Sequence, residues 1–127
     1  MGGRCGKAAV IGGGMSGICT AILLAEEGID VSLYERQERI AKKILLTGNG
    51  RCNLSNSDIY TEAYQCSDAG KLGIILGNMT EDERDGFYQN CGLSTTDIRG
   101  GIYPVTKQAS SVVDALRFTL RERDVNI

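Results

Sequence analysis

The chain has 127 residues with 14 basic and 16 acidic side chains, a net charge of −2, and no histidine. This length fits one domain at most, large enough to bury roughly two-thirds of the surface that its unfolded chain exposes. The near-balanced charge, with no block of one sign, argues against a nucleic-acid or anionic-membrane surface. The missing histidine removes the commonest general base, the commonest metal ligand and every Ser/His or Cys/His pair.

Five cysteines, Cys5, Cys19, Cys52, Cys66 and Cys91, form no C-x-x-C pair and are odd in number. Neither a disulfide framework nor a zinc site is indicated, and reduced thiols point to a cytoplasmic protein. At the amino end, Arg4 and Lys7 precede an apolar stretch, but Gly12, Gly13, Gly14 and Gly17 interrupt it, so it is not read as a secretory signal. "MGGRCG" carries Gly6 where a myristoylation pattern needs Ser or Thr. No apolar run approaches the roughly 18 residues of a membrane span.

Lys7 to Ile11 is a short apolar run without polar alternation, which predicts a parallel strand covered on both faces. From Met15, the apolar positions Ile18, Ala21, Ile22 and Ala25 recur at helical spacing, and Gly28 follows where a left-handed cap is needed. Val31 to Tyr34 reads as a second strand, closed by Glu35. The unit is β-α-β.

Gly12, Gly14 and Gly17 join the first strand to the helix in the spacing G-x-G-x-x-G. With 17 glycines in the chain the pattern alone is weak, since multiplying frequencies gives about 0.3 chance matches. Its context is what makes it informative: a strand before, a helix after, and an acid 18 residues beyond Gly17 at the end of the next strand. Gly12 then serves a tight turn, Gly14 lets a pyrophosphate approach the backbone, and Gly17 lets helix and strand pack closely. The helix N-terminus offers N–H groups and partial positive charge to phosphate, and Glu35 offers acceptors to an adenosine ribose. NAD and FAD both suit such a unit, and the residues alone do not separate them.

"TGNGRCN", Thr47 to Asn53, admits two readings. Asn49-Gly50 is a favoured type I′ pair, and "KILL" before it would be a strand entering a hairpin. Alternatively, Gly48 and Gly50 bring the backbone against a ligand, its N–H groups forming an anion-accepting nest with Arg51 pairing to phosphate. Spacing leaves both open. Cys52 has no partner cysteine and no histidine to activate it, so it reads as a packing residue, and Lys42 and Lys43 as a solvated pair.

Residues 58–105 read as an α+β excursion between the second and third parallel strands. Thr80 and Glu83 make a capping box for a helix with Phe87 and Cys91 on its apolar side and Gly92 at its end. Leu93 to Thr96 and Ile102 to Val105 suggest a hairpin over "IRGG", and Pro104 demotes the second of these strands to an edge. Ala109, Val112, Val113, Leu116 and Leu120 then form one helical stripe, from a cap near Thr106 to about Arg123, before "DVNI", where a third parallel strand should start.

"VIGGGMSGICTAILLAEEGIDVSLYER", "KKILLTGNGRCNLSN" and "IYPVTKQASSVVDAL" together resemble the N-terminal part of a family of bacterial NAD(P)/FAD-dependent oxidoreductases, the aminoacetone-oxidase-like flavoproteins. The resemblance runs over nearly the whole chain. It implies an α/β fold: the N-terminal β-α-β of a doubly wound, parallel-sheet, FAD-binding domain of the glutathione-reductase type, with its sheet incomplete. Within it, 1–57 would hold the β-α-β and flavin loop, 58–105 the excursion, and 106–127 the helix and the start of the third strand. The resemblance puts Gly12, Gly13, Gly14, Met15, Ser16 and Gly17 at the FAD pyrophosphate and Glu35 at the ribose. It puts Arg36 and Lys43 near the same cofactor, and Thr47, Gly48, Asn49, Gly50, Arg51, Cys52 and Asn53 along its pyrophosphate and flavin side. Two positions depart from the family: Asn49 replaces a usual glycine, and Gly101 a usual arginine.

The resemblance implies a flavin that moves electrons or hydride to or from a small organic substrate, with NAD(P)H as a further partner in the full-length protein. No side chain stands out as acid, base or nucleophile, and no metal ligand set is present. The family's proteins run several hundred residues further, so the expectation is half a ligand crevice and weak or no flavin retention by the chain alone. The same residues also suit a non-catalytic NAD- or adenylate-binding module, or an inactive fragment.

Overall fold

The computed structural model describes residues 5–127, so the readings that involve residues 1–4, the secretory and myristoylation patterns, lie outside the described residues. In chain order the elements are β1 (Lys7–Ile11), α1 (Met15–Glu26), β2 (Asp30–Tyr34), β3 (Ser55–Asn56), α2 (Ala69–Gly77), α3 (Glu81–Asn90), β4 (Thr95–Ile98), β5 (Gly101–Pro104) and α4 (Ala109–Glu122). They divide into two compact units: residues up to Cys52 together with Thr106–Ile127, and Asn53–Val105.

In the first unit, β1 and β2 run parallel, with Ala8 opposite Val31 and Val10 opposite Leu33. The helix between them ends as its glycine requires. Gly28 takes φ +78°, its N–H donates to Ala25 O, and Ile29 N–H donates to Leu24 O, which satisfies carbonyls that the last turn leaves open. α1 and α4 pack against one another, and Ile18, Ile22, Val31, Leu33, Val112, Leu116 and Leu120 form the core. The α4 stripe is buried as its spacing predicts and is widened by Thr119, whose hydroxyl donates to Ala115 O at 2.9 Å and so is buried satisfied. After α4 the chain returns to the sheet: Asn126 N–H donates to Val31 O at 3.0 Å, and Leu33 N–H donates to Asn126 O at 2.7 Å. A third strand thus starts parallel to β2, on the side away from β1.

One expectation fails here. β1 is not covered on both faces: Ala9 and Ile11 are exposed, Ile11 by 80%, and Tyr34 stands exposed beside Ile11 in the paired strand. Both helices of this unit serve the Val31–Leu33 face, and no described element of the unit covers the other. An unbroken apolar run records the demand for burial, and the structure supplies one layer of it.

The second unit is built on an antiparallel sheet ordered β3-β5-β4. The hairpin turn is Arg99-Gly100, both at positive φ (54° and 87°), the geometry of a two-residue primed turn. The hairpin therefore lies later than expected at β4, because Leu93 is already committed. Its N–H donates to Tyr88 O at 2.8 Å and its side chain is buried, closing α3 beyond Gly92 (φ +72°). β5 is the central strand rather than an edge. Pro104 is tolerated at its last position because β3 pairs only with Gly101 and Ile102, so no ladder donor is missed. The capping box of α3 forms as read, with Thr80 Oγ accepting from Glu83 N–H and Glu83 accepting from Thr80 N–H at 2.7 Å. α2, with Gly70, Gly73 and Gly77, was not signalled by any apolar period; Asp68 caps it by accepting from Lys71 N–H.

The α4 stripe yields a test. Leu116→Ala should lower the unfolding free energy by about 3 kcal/mol, the cost of a transfer loss plus an unfilled cavity. Phe118→Ala, on the exposed side of the same helix, should stay within about 0.5 kcal/mol. Urea denaturation midpoints measure both.

Candidate functional site

The glycine loop is shaped by what surrounds each residue. Gly12 takes φ +103°, and its N–H donates to Tyr34 O at 2.7 Å, extending the β1–β2 ladder by one step before the chain turns. At Gly17 a β-carbon would lie 1.9 Å from Gly12 O, far inside contact distance, so only glycine lets the first turn of α1 approach the end of β1. Gly14, the N-cap, is the opposite case: a β-carbon there meets nothing within 4 Å. The N–H groups of Met15, Ser16 and Gly17 have no acceptor four residues back, no side chain caps the helix, and its first turn carries no acid. The loop presents an uncapped positive helix end beside open space.

Gly13 has a different role from its neighbours. Its N–H donates to Glu35 Oε2 at 2.7 Å, its carbonyl accepts from Ala41 N–H at 2.7 Å, and a β-carbon would lie 2.6 Å from Ile40 Cγ2. Its donor is therefore spent inside the protein. Glu35 also accepts from Gln37 N–H at 2.8 Å. The Gln37 and Gly13 N–H groups, with a smaller contribution from the Arg36 backbone and charge, hold the Glu35 carboxyl below the usual carboxylate range. An ionised, acceptor-only carboxylate is thus fixed at the end of β2 and tied to the glycine loop.

Ile40 and Ala41 are buried, and Ala41 takes a left-handed φ of +65° so that its N–H reaches Gly13. Arg117 of α4 braces this turn, donating from Nη2 to Ile40 O at 3.2 Å. These seating residues escaped the sequence reading. The one available signal was Ile40, with Ala41, standing as the apolar pair in the charged run "RQERIAKK". Arg36 and Lys43 lie exposed on the same turn.

Thr47 to Cys52 does not follow a strand. Ile44–Gly50 is a tight helical segment that breaks at Thr47, after which Gly48, Asn49 and Gly50 all take positive φ (55°, 55° and 80°). The hairpin reading is therefore replaced by a left-handed corner, and asparagine at position 49 suits it because Asn tolerates this region better than most residues. The corner closes on itself. Arg51 N–H donates to Gly48 O at 3.2 Å, Cys52 N–H donates to Thr47 O at 3.0 Å, and the Thr47 hydroxyl donates to Ile44 O at 2.8 Å. Arg51 Nε also donates to Gly48 O at 3.3 Å. The anion nest drawn from the sequence thus loses the Arg51 and Cys52 donors to internal bonds. Cys52 is buried, and burial pushes its thiol up, against a smaller effect of the Thr47 hydrogen bond, so it is a protonated packing residue and not a thiolate. Asn53 and Gly101 belong to the second unit. At Gly101 the ring of Tyr103 fills the side-chain space, with Cε2 2.7 Å from a β-carbon position.

Beside Glu35, along the outer edge of β2, lies a cleft of about 690 Å³ lined by Leu33, Tyr34, Ile40, Arg121 and Asn126. Among the described residues no group of acids and cysteines is arranged to hold a metal ion, and no helix is long and apolar enough to cross a membrane.

A family model described as the HI0933-like protein Rossmann domain matches residues 6–127. The chain belongs to the HI0933-like Rossmann domain family. Among curated relatives it is 40% identical over 120 residues to the 3-dehydro-bile acid delta(4,6)-reductase of Clostridium scindens, covering 93% of this chain and 29% of that protein. It is 34% identical over 55 residues to the ribosomal RNA dihydrouridine synthase of Haemophilus influenzae, covering 43% of this chain and 14% of that one. Among solved structures, the crystal structure of Thermovibrio ammonificans THI4 shares the fold with a TM-score of 0.58 at 15% identity, over 93% of this chain and 36% of that one. The chain therefore spans less than a third of the curated relatives it matches. For this HI0933-like domain the glycine loop, uncapped helix and terminal acid are those of a dinucleotide-binding Rossmann unit.

Two substitutions separate the roles of the glycines. Gly17→Ala must displace a backbone carbonyl and should cost roughly 3 kcal/mol or more. Gly14→Ala, with open space and an ordinary φ of −81°, should cost no more than about 1 kcal/mol, the loss of a preferred N-cap residue. Glu35 gives a pH signature. Because its folded carboxyl titrates lower than the unfolded one, its stabilising contribution is complete above the ordinary carboxylate range. That contribution is lost as pH falls through the depressed folded value. Glu35→Gln should flatten that part of the acid limb of a stability–pH profile, and in the parent the Gly13 amide resonance should titrate with the carboxyl.

Proposed function

We propose that this HI0933-like domain binds FAD as the adenine-dinucleotide segment of a flavin-dependent oxidoreductase. The observation that carries the reading is the bond from Gly13 N–H to Glu35 Oε2, which couples the loop facing a pyrophosphate to the acid facing a ribose. An ionised Glu35 with remaining lone pairs accepts from a ribose diol and repels a 2′-phosphate. The residues present fit the group: Gly14 leaves the space that a pyrophosphate needs, and the α1 N-terminus supplies donors. Gly14, Met15, Ser16 and Gly17 would hold the pyrophosphate, Glu35 the ribose, and Arg36, Lys43 and the Thr47–Cys52 corner the remainder, with Gly12, Gly13 and Cys52 acting from behind. Bound flavin supplies hydride and electron transfer, and this chain's residues supply orientation and electrostatics.

FAD is favoured over NAD because the TGNGRCN corner accompanies the glycine loop in the flavoproteins the chain resembles, the aminoacetone-oxidase-like branch among them. In a full-length protein the substrate is a small organic molecule and NAD(P)H a further partner, in the cytoplasm. The name of the bile-acid reductase accords with reduction chemistry.

Amide resonances mapped by NMR test the reading even where affinity is weak. Millimolar FAD should shift Gly12, Gly14, Met15, Ser16, Gly17 and Glu35 and also the Thr47–Cys52 corner, while NAD should shift only the first group. Gly14→Val should abolish the response with the fold intact. Shifts confined elsewhere, or none, would defeat the dinucleotide assignment; equal responses to both ligands would favour the adenylate-binding module.

A further inference from the structure

The turn that seats the glycine loop has a second side. Ile40 and Ala41 are buried under Gly13, but Arg36, Arg39 and Lys42 of the same turn are exposed and have no ion-pair partner among the described residues. They border a cleft of about 610 Å³ whose opposite wall is the first half of α4, with Ser110, Val113 and Arg117. Arg117 stands at the seam, one of its donors bonded to Ile40 O and the rest of the guanidinium uncommitted. Cations from two separate elements thus converge on one concavity. An ordinary solvated face would spread them outward.

The lining also includes Glu38 and Asp114, so four cationic side chains face two carboxylates. The surplus of two positive charges sits in a chain whose net charge is −2, which makes the site a local reversal and not a reflection of composition. Ile40, Leu45 and Val113 add an apolar floor, and Ser110 lies in the first turn of α4, a 14-residue helix whose N-cap, Gln108, makes no side-chain cap. The volume falls in the range of small-molecule pockets, about 300–1,000 Å³.

We propose that this cleft binds an organic phosphate, its phosphoryl group held by Arg39, Lys42 and Arg117 and its apolar body lying against Ile40, Leu45 and Val113. A phosphate monoester near neutral pH carries about −1.5 to −2 charges, which matches the surplus; a monocarboxylate does not. The guanidinium fork suits phosphate oxygens, and the positive end of the α4 dipole adds favourable potential. Arg36, assigned above to the dinucleotide, borders this cleft as well, but the residues that hold the phosphoryl group, Arg39, Lys42 and Arg117, are not among those assigned to the dinucleotide.

The probe is 1-naphthyl phosphate, titrated into the chain at about 0.15 M salt and followed by fluorescence, with 1-naphthol and inorganic phosphate alongside. One-to-one binding at least tenfold tighter than either companion is expected. Arg39→Gln/Lys42→Gln, both exposed positions, should weaken it at least tenfold. Lys71→Gln/Arg99→Gln, an equal charge loss in the other unit, should change it less than twofold. No binding, equal losses from both double variants, loss from neither, or naphthol binding as tightly would each overturn the proposal. The amide response of Gly12, Gly14 and Gly17 to FAD should survive Arg39→Gln/Lys42→Gln; its disappearance would assign these cations to the dinucleotide site and likewise end the claim of a second site. A failed dinucleotide assignment would instead leave the naphthyl phosphate result intact.

Discussion

A carbonyl oxygen occupies the place where residue 17 would otherwise carry a side chain. That single contact, between Gly12 O and the Gly17 Cα, sets how near α1 comes to β1, and much of the first unit follows from it. With the helix this close, its first N–H groups open over the end of the strand, and Ile18 and Ile22 reach the Val31 and Leu33 face that Leu116 and Leu120 also cover. Moving the helix outward by the width of a methyl group would loosen this core and turn the helix end away from Glu35. The glycine spacing therefore reports a packing distance first, and ligand chemistry is built on that distance.

Around this contact the protein uses its middle glycine differently. Gly13 gives its N–H to Glu35 and its carbonyl to Ala41, with Ile40 against its α-carbon. The arrangement fixes the acid by backbone donors and the turn by a buried side chain, with Arg117 bracing the turn from α4. Preorganisation of this kind reduces the ordering that a ligand must impose on binding. It also accounts for the left-handed Ala41: strain of about 1–3 kcal/mol at such a residue persists only where surrounding contacts enforce it.

Much of this was legible in the sequence because it rests on local constraints. The period of α1 and α4, the Gly28 cap, the Thr80–Glu83 box and the acid closing β2 each depend on residues within one or two turns. What the sequence did not disclose depends on contacts across long separations. The burial of Ile40 against Gly13 is such a case, as is Arg117 reaching Ile40 O across 77 positions. The closure of the TGNGRCN corner lies beyond the sequence for a related reason. Its left-handed character was readable from Gly48, Asn49 and Gly50, but its closure on Thr47 O and Gly48 O was not, since spacing says nothing about which donors are already spent. Pro104 misled in the opposite way: a rule about edges applies to the paired positions of a strand, and here β3 stops before reaching the proline.

Magnitudes show what this site can do by itself. Donors at the α1 end offer hydrogen bonds to charged phosphate groups worth roughly 1.5–3 kcal/mol each, and the helix end adds about 0.3–1 kcal/mol. Three such contacts approach the roughly 4–15 kcal/mol that association costs in lost freedom, and little is left as net affinity. Tight retention needs the apolar burial of the two ring systems, at about 25 cal/mol for each Å² removed from water. Ile11 and Tyr34 lie open to solvent on the uncovered sheet face. The outer edge of β2 beyond Leu33 N–H is likewise unfilled, since the alternation of the ladder leaves Leu33 O and Glu35 N–H pointing outward. A layer against that face and a strand along that edge would enclose the rings. In this fold, then, the glycine loop determines where a dinucleotide lies, whereas its affinity must come from surfaces that enclose the rings.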